Sequence, residues 1–192
     1  MENLSDADLK KIVDEVVSSL TREMPSQVKN LEESAPLSSS ELGLMDKNIV
    51  ALGADHGGYP LKEILKGFLE EKGYQVIDCG TGSTDSVDYP DFARAVALHI
   101  KNGTAWRGIM IDGAGIGSCM AANKVHGVRA AMCYDYATAF NSREHNNANL
   151  LTLGAGLIGV NLAKQITATF LETEFGGDRH ARRVDKIMAI ES

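Results

Sequence analysis

Cysteine is scarce in this chain. Cys79, Cys119 and Cys133 are its three cysteines in 192 residues. An odd count without a C-x-x-C pair argues against a disulfide framework and a thiolate zinc site, and points to a reducing cytoplasm. Long apolar runs are missing as well. None approaches the roughly 20 residues that span a bilayer, and the N-terminus lacks the basic start and unbroken apolar stretch of a secretory signal. Positive charge is short, with 19 Lys and Arg against 26 Asp and Glu for a net charge of −7. A nucleic-acid partner is not expected on that balance.

The acidity is concentrated at one end. Residues 1–46 carry ten acidic and four basic side chains, whereas the rest is nearly neutral. Leu9, Ile12, Val13, Val16, Val17 and Leu20 recur at helical spacing and form one apolar stripe. Ser5 and Asp8 suit a capping box, and Pro25 follows the end. The stretch from Met24 to Lys47 is polar, with three consecutive serines and two prolines, as in a linker. The expected organisation is an amphipathic helix over 1–24, a linker over 25–47 and a main domain over 48–192.

From Asn48 onward, apolar runs at 48–54, 74–80, 107–113, 128–134 and 149–155 alternate with segments of helical period near 59–72, 88–102, 116–123, 135–145, 157–172 and 180–189. This predicts an α/β fold: a doubly wound, Rossmann-like, parallel five-stranded sheet with helices on both faces, preceded by the N-terminal helix and linker. Ligands of such folds sit at the carboxyl ends of the strands.

Chemistry-bearing residues gather near those ends. Asp55 and His56 follow the first strand, and D-G-A-G-I-G-S (112–118) follows the third. Arg143, His145, Asn146 and Asn149 crowd the approach to the fifth, and Arg179, His180, Arg182 and Arg183 lie near the C-terminus. Each has a plainer reading as a cap, a turn or a solvated face. The glycine loop carries Ser118 where a dinucleotide fingerprint has its last glycine. Together, converging at one sheet edge, the groups suit a small phosphorylated carbonyl compound. Arginines would hold phosphate, a histidine would move protons, and loop N–H groups would stabilise an oxyanion. No metal or redox cofactor is required. Asp112 is the puzzle, because a carboxylate at a glycine loop repels the anions such loops usually cradle.

Residues 48–192 resemble the sugar-phosphate isomerases of the ribose-5-phosphate isomerase type B family, which includes galactose-6-phosphate isomerase subunits. The resemblance rests on GADHGGYPLKE, VIDCGT, DYPDFA, GAGIG-x-x-x-AANKV-x-GVRAA, SREHNNANLLTLG and GGDRHARRV, all in order. It implies a homodimer or dimer of dimers with shared sites, and metal-free aldose–ketose isomerisation through a cis-enediolate. By that resemblance, His145 would help open the sugar ring and Asn146 would hold substrate. Asp55 and His56 would line the pocket, with His56, Arg179 and Arg183 near the phosphate. Gly113, Ala114, Gly115, Ile116 and Gly117 would offer N–H groups to the enediolate. Family members usually begin this loop with a cysteine base, and one branch uses a glutamate where Ser118 stands. Many carry an arginine in place of Gly156. The expected base here is therefore Asp112, with ribose 5-phosphate to ribulose 5-phosphate as the leading reaction. A six-carbon phosphate, an inactive sugar-phosphate-binding or scaffold protein and a nucleotide-binding module are the alternatives.

The N-terminal helix resembles the encapsulation peptides of bacterial microcompartment cargo. That resemblance implies shell or cargo partners through residues 5–22 and a place inside a cytoplasmic microcompartment, with self-packing within an oligomer as the other reading. Its polar face is acidic, which disfavours a membrane surface.

Overall fold

A computed structural model describes residues 47–191. The expectations for the N-terminal helix, and for the linker up to residue 46, lie outside the described residues.

The described chain alternates strands and helices: β1 (Ile49–Ala54), α1 (Tyr59–Glu71), β2 (Gln75–Asp78), α2 (Tyr89–Lys101), β3 (Arg107–Asp112), α3 (Ile116–Ala122), β4 (Ala130–Met132), α4 (Tyr136–Glu144), β5 (Leu150–Gly154), α5 (Val160–Glu172) and α6 (Asp178–Met188), then a 3₁₀ turn at Ala189–Glu191. The five strands form one sheet in the order β2-β1-β3-β5-β4, and every neighbouring pair is parallel. The doubly wound architecture expected from the alternation is present.

The two-residue period of a strand explains how helices cover both faces. On one face, Val50 and Leu52 of β1, Ile109 and Ile111 of β3, and Leu151 and Leu153 of β5 join Leu61, Leu65 and Leu69 of α1 and Ile166 and Phe170 of α5 in one core. Each such side chain, fully buried, contributes roughly 1.5–3 kcal/mol. On the other face, glycines in β1 and β3 let α2 approach closely. A Cβ on Gly53 would lie 2.5 Å from Val96 Cγ2, and one on Gly108 would lie 2.7 Å from Val96 Cγ1. Glycine at those two positions sets how near α2 sits.

Sheet order positions the site. The chain leaves β1 to one side for β2 and then returns to its other side for β3. The crevice at the carboxyl ends of β1 and β3 is therefore the topological switch point, where open α/β sheets bind ligands. Asp55 follows β1 directly, and Asp112 is the last residue of β3.

Candidate active site

Asp112 is 5% exposed, and the loop it opens closes back upon it. Its Oδ1 accepts hydrogen bonds from the N–H of Ala114 at 2.8 Å and from the N–H of Gly115. Its Oδ2 accepts from the Ser118 N–H at 3.1 Å and the Ser118 hydroxyl at 2.5 Å. A carboxylate offers about four lone-pair directions, and all four are met by donors of the loop and of the first turn of α3. These bonds also cap the first turn of α3, whose leading N–H groups have no partner within the helix.

The loop is tied down from behind. Asp112 O accepts from Ala155 N at 2.8 Å, and Gly113 O from Gly156 N at 3.0 Å. Ala114 O accepts the Tyr134 hydroxyl at 2.9 Å, and Gly115 O accepts the Thr152 hydroxyl at 2.9 Å. Gly115 turns the corner with φ of 78°, and a Cβ there would lie 3.0 Å from the Leu153 carbonyl carbon. Glycine is required on both counts.

Asp55 and His56 flank the same crevice. Asp55 is 6% exposed and accepts from Gly58 N through Oδ1 at 2.9 Å. The Val87 N–H donates to His56 Nδ1 at 3.2 Å, which leaves the proton of the neutral ring on Nε2. A Cβ on Gly57 would lie 3.6 Å from Gly113 N, so the two loops abut. The structure thus brings Asp55, His56, Asp112 and Gly113 through Gly117 together.

It holds the remaining candidates elsewhere. Helix α4 runs antiparallel to the strands, so its last turn returns to the end of the sheet where β5 begins. His145 and Asn146 follow α4 directly, a few residues before Leu150. Asp112 pairs with Gly154 at the far end of β5, about 13–17 Å away at 3.3 Å per residue. Convergence of all candidates at one sheet edge is thereby corrected for a single chain. Among the described residues no hydrogen bond, ion pair or ring contact links the two groups.

The second group has its own order. His145 and His180 stack with centroids 4.2 Å apart and planes 5° from parallel. Asn141 Nδ2 meets His145 Nδ1 at 2.7 Å, and Glu144 Oε2 lies 3.1 Å from His145 Nε2. Asn146 donates to the Asn141 side-chain oxygen at 3.2 Å, and Arg179 Nε points at His180 Nε2 at 3.3 Å. Residual burial first, then His145, Arg179 and Arg183, lower the His180 pKa, which favours its neutral form. Arg183 is one turn beyond Arg179 on an exposed face of α6.

Two neighbours are structural. Arg143 is 1% exposed and ties the Asn147 side chain and the Ala148 carbonyl at 2.8 and 2.6 Å. Asn149 holds Arg129 N and Gly127 O at 2.7 and 2.8 Å.

The loop N–H groups are also not all available. Those of Ala114 and Gly115 are spent on Asp112, so neither is free to meet a ligand. Sequence reasoning missed Tyr134 and Thr152 as loop anchors, since neither partner is near in the chain. It also missed the Lys62–Asp78 pair beside the crevice, with Nζ 2.8 Å from both carboxylate oxygens. Cys119 does not replace the usual loop thiol. Burial first, and the charge of Asp112 in addition, raise its pKa, so it stays protonated at neutral pH.

A model of the ribose/galactose isomerase family matches residues 50–187. The chain belongs to that family. Ribose-5-phosphate isomerase B of Escherichia coli K12 is 43% identical over 142 residues, covering 74% of this chain and 95% of that protein. The D-erythrulose-4-phosphate isomerase of Pectobacterium atrosepticum is 43% identical over 139 residues, covering 72% and 91%. Among solved structures, ribose-5-phosphate isomerase B of Clostridium thermocellum aligns with a TM-score of 0.74 at 52% identity, covering 74% of this chain and 97% of that one.

Proposed function

We propose that this protein is an aldose–ketose isomerase of a phosphorylated sugar, with ribose 5-phosphate to ribulose 5-phosphate as its reaction. One observation carries the reading: a buried carboxylate, Asp112, stands at the switch point of a family domain, held in place by its own glycine-rich loop. Asp112 takes the proton from carbon 2, and the Gly113, Ile116 and Gly117 N–H groups meet the oxygens of the cis-enediolate. His145 serves ring opening, Asn146 holds the sugar, and Arg179 and Arg183 hold the phosphate. Because these four lie at the other end of the sheet from Asp112, a second subunit supplies them, which makes the working unit a homodimer or dimer of dimers with shared sites.

Two tests separate these statements. Incubation of ribose 5-phosphate with the protein is expected to yield ribulose 5-phosphate, followed by NMR of the sugar mixture. An inert sugar after hours at micromolar enzyme leaves a binding protein instead. Mixing Asp112→Asn with Arg179→Ala protein after subunit exchange is expected to restore activity that neither variant has. No recovery in verified heterodimers contradicts shared sites.

A second reading has its own support. Four hydrogen bonds to one carboxylate are what a structural cap needs, and in that reading the protein binds sugar phosphate without turning it over. Residues 1–24 are proposed as an address for a microcompartment shell, joined through the linker 25–47. Their deletion is expected to abolish shell co-purification and leave turnover intact; lost turnover with a smaller oligomer would make the helix structural.

A further inference from the structure

A base whose lone pairs are all occupied can accept a proton only by releasing a donor, so the identity of the releasable donor matters. Two of the four donors to Asp112 belong to peptide units pinned at both ends. The Gly113–Ala114 unit gives its N–H to Asp112 Oδ1 while its carbonyl holds Gly156 N. The Ala114–Gly115 unit does the same, with its carbonyl on the Tyr134 hydroxyl. The third donor is Ser118 N, whose peptide is fixed within α3. The fourth, the Ser118 hydroxyl, turns about a single bond. It is also the one group of the four that can both donate and accept.

We propose that Ser118 is a positioning residue for Asp112, its hydroxyl yielding Oδ2 to the incoming proton and then accepting from the protonated carboxyl. The inference rests on Asp112 being the base. In the step, the carbon 2–H bond of the sugar breaks and an O–H bond forms at Oδ2, while the electron pair stays on the sugar as the enediolate. The new carboxyl O–H donates to Ser118 Oγ. The serine proton swings off Oδ2 toward the Ala114 carbonyl one turn back, whose second lone pair it takes beside the Tyr134 hydroxyl. Delivery of the proton to carbon 1 reverses these moves, and no co-reactant is consumed. Ser118 is fully buried, at 0% exposure, so water does not compete for either position of the hydroxyl.

The test uses the full-length protein with ribose 5-phosphate carrying hydrogen or deuterium at carbon 2. Ser118→Ala is expected to lower kcat by about 10- to 100-fold, the worth of one hydrogen bond to a charged group. KM stays within about twofold, and the deuterium effect on kcat grows because proton transfer becomes slower. Ser118→Cys, which keeps a weak rotatable donor, falls between the two. A Ser118→Ala kcat within twofold of the parent overturns the proposal, as does Ser118→Cys turning over no faster than Ser118→Ala. Should Ser118→Ala melt below the assay temperature, Ser118→Cys alone decides: reduced kcat at constant KM supports the proposal, and parental kcat overturns it. Asp112→Asn in the same assay separates the two readings. Full activity there removes the base itself, whereas a dead Asp112→Asn beside a parental Ser118→Ala removes only the role of the serine.

Discussion

Gly154 stands opposite Asp112 in the β3–β5 register, and its missing side chain leaves room for the loop. A Cβ at this position would lie 2.6 Å from Ala114 O, 2.7 Å from its carbonyl carbon and 2.9 Å from its Cα. Gly154→Ala therefore drives a methyl into backbone, not into the tip of a flexible side chain. The Ala114 carbonyl must retreat by about 0.4 Å before it reaches even 3.0 Å, a separation Cβ atoms rarely undercut. That motion strains the 2.9 Å bond from Tyr134 and the N–H groups that hold Asp112 Oδ1. Overpacking of this kind costs about 1–3 kcal/mol, which for a chain of this size lowers Tm by roughly 2–12 °C. A displacement approaching 1 Å at a reacting group costs up to about 100-fold in rate, so a half-ångström shift is expected to cost about 10-fold in kcat. Thermal melting and steady-state kinetics on the same sample check both numbers. Parental Tm and kcat together would refute the close approach and the rigid wiring of the loop.

Two further outcomes follow from buried charge. Lys62 Nζ, 3% exposed as a side chain, is held by Asp78 and by Glu63 at 2.9 Å. Asp78→Asn is expected to cost about 2–3 kcal/mol, at or below the low end for a broken buried pair because Asp78 is 24% exposed and Glu63 remains. Denaturant titration checks this, and adding Lys62→Met to the same chain is expected to recover most of the loss. His99, at the end of α2, is kept neutral by burial, which lowers its pKa. Below its ordinary value near 6.5 the unfolded chain gains a proton that the folded one refuses. Stability therefore falls as pH drops from about 6.5 toward the lowered folded value, and His99→Gln is expected to flatten that part of the melting profile.

The alternation of apolar runs was enough to read the five strands and the described helices, because periods of two and 3.6 are local properties. The crevice was readable for the same reason, since Asp55 and Asp112 directly follow or end strands. Which end of the sheet His145 reaches within one chain was not readable, because helix direction decides it. Arg143 looked like a site residue for lack of any local sign that its guanidinium turns inward to the Ala148 carbonyl. Tyr134 and Thr152 were invisible because their partners, Ala114 and Gly115, lie 20 and 37 residues away. Ser118 stood six residues from Asp112 in plain view. Its role depends on the loop folding back, which spacing alone does not show.

The most direct measurement is ribose 5-phosphate turnover by the parent beside Asp112→Asn and Asp112→Cys, each confirmed folded by thermal melting. If Asp112 is the base, Asn loses at least about 100-fold in kcat, the scale of general-base catalysis, and Cys regains part of it. A folded Asp112→Asn that turns over at the parental rate would contradict Asp112 as the proton acceptor and leave it as the cap of α3.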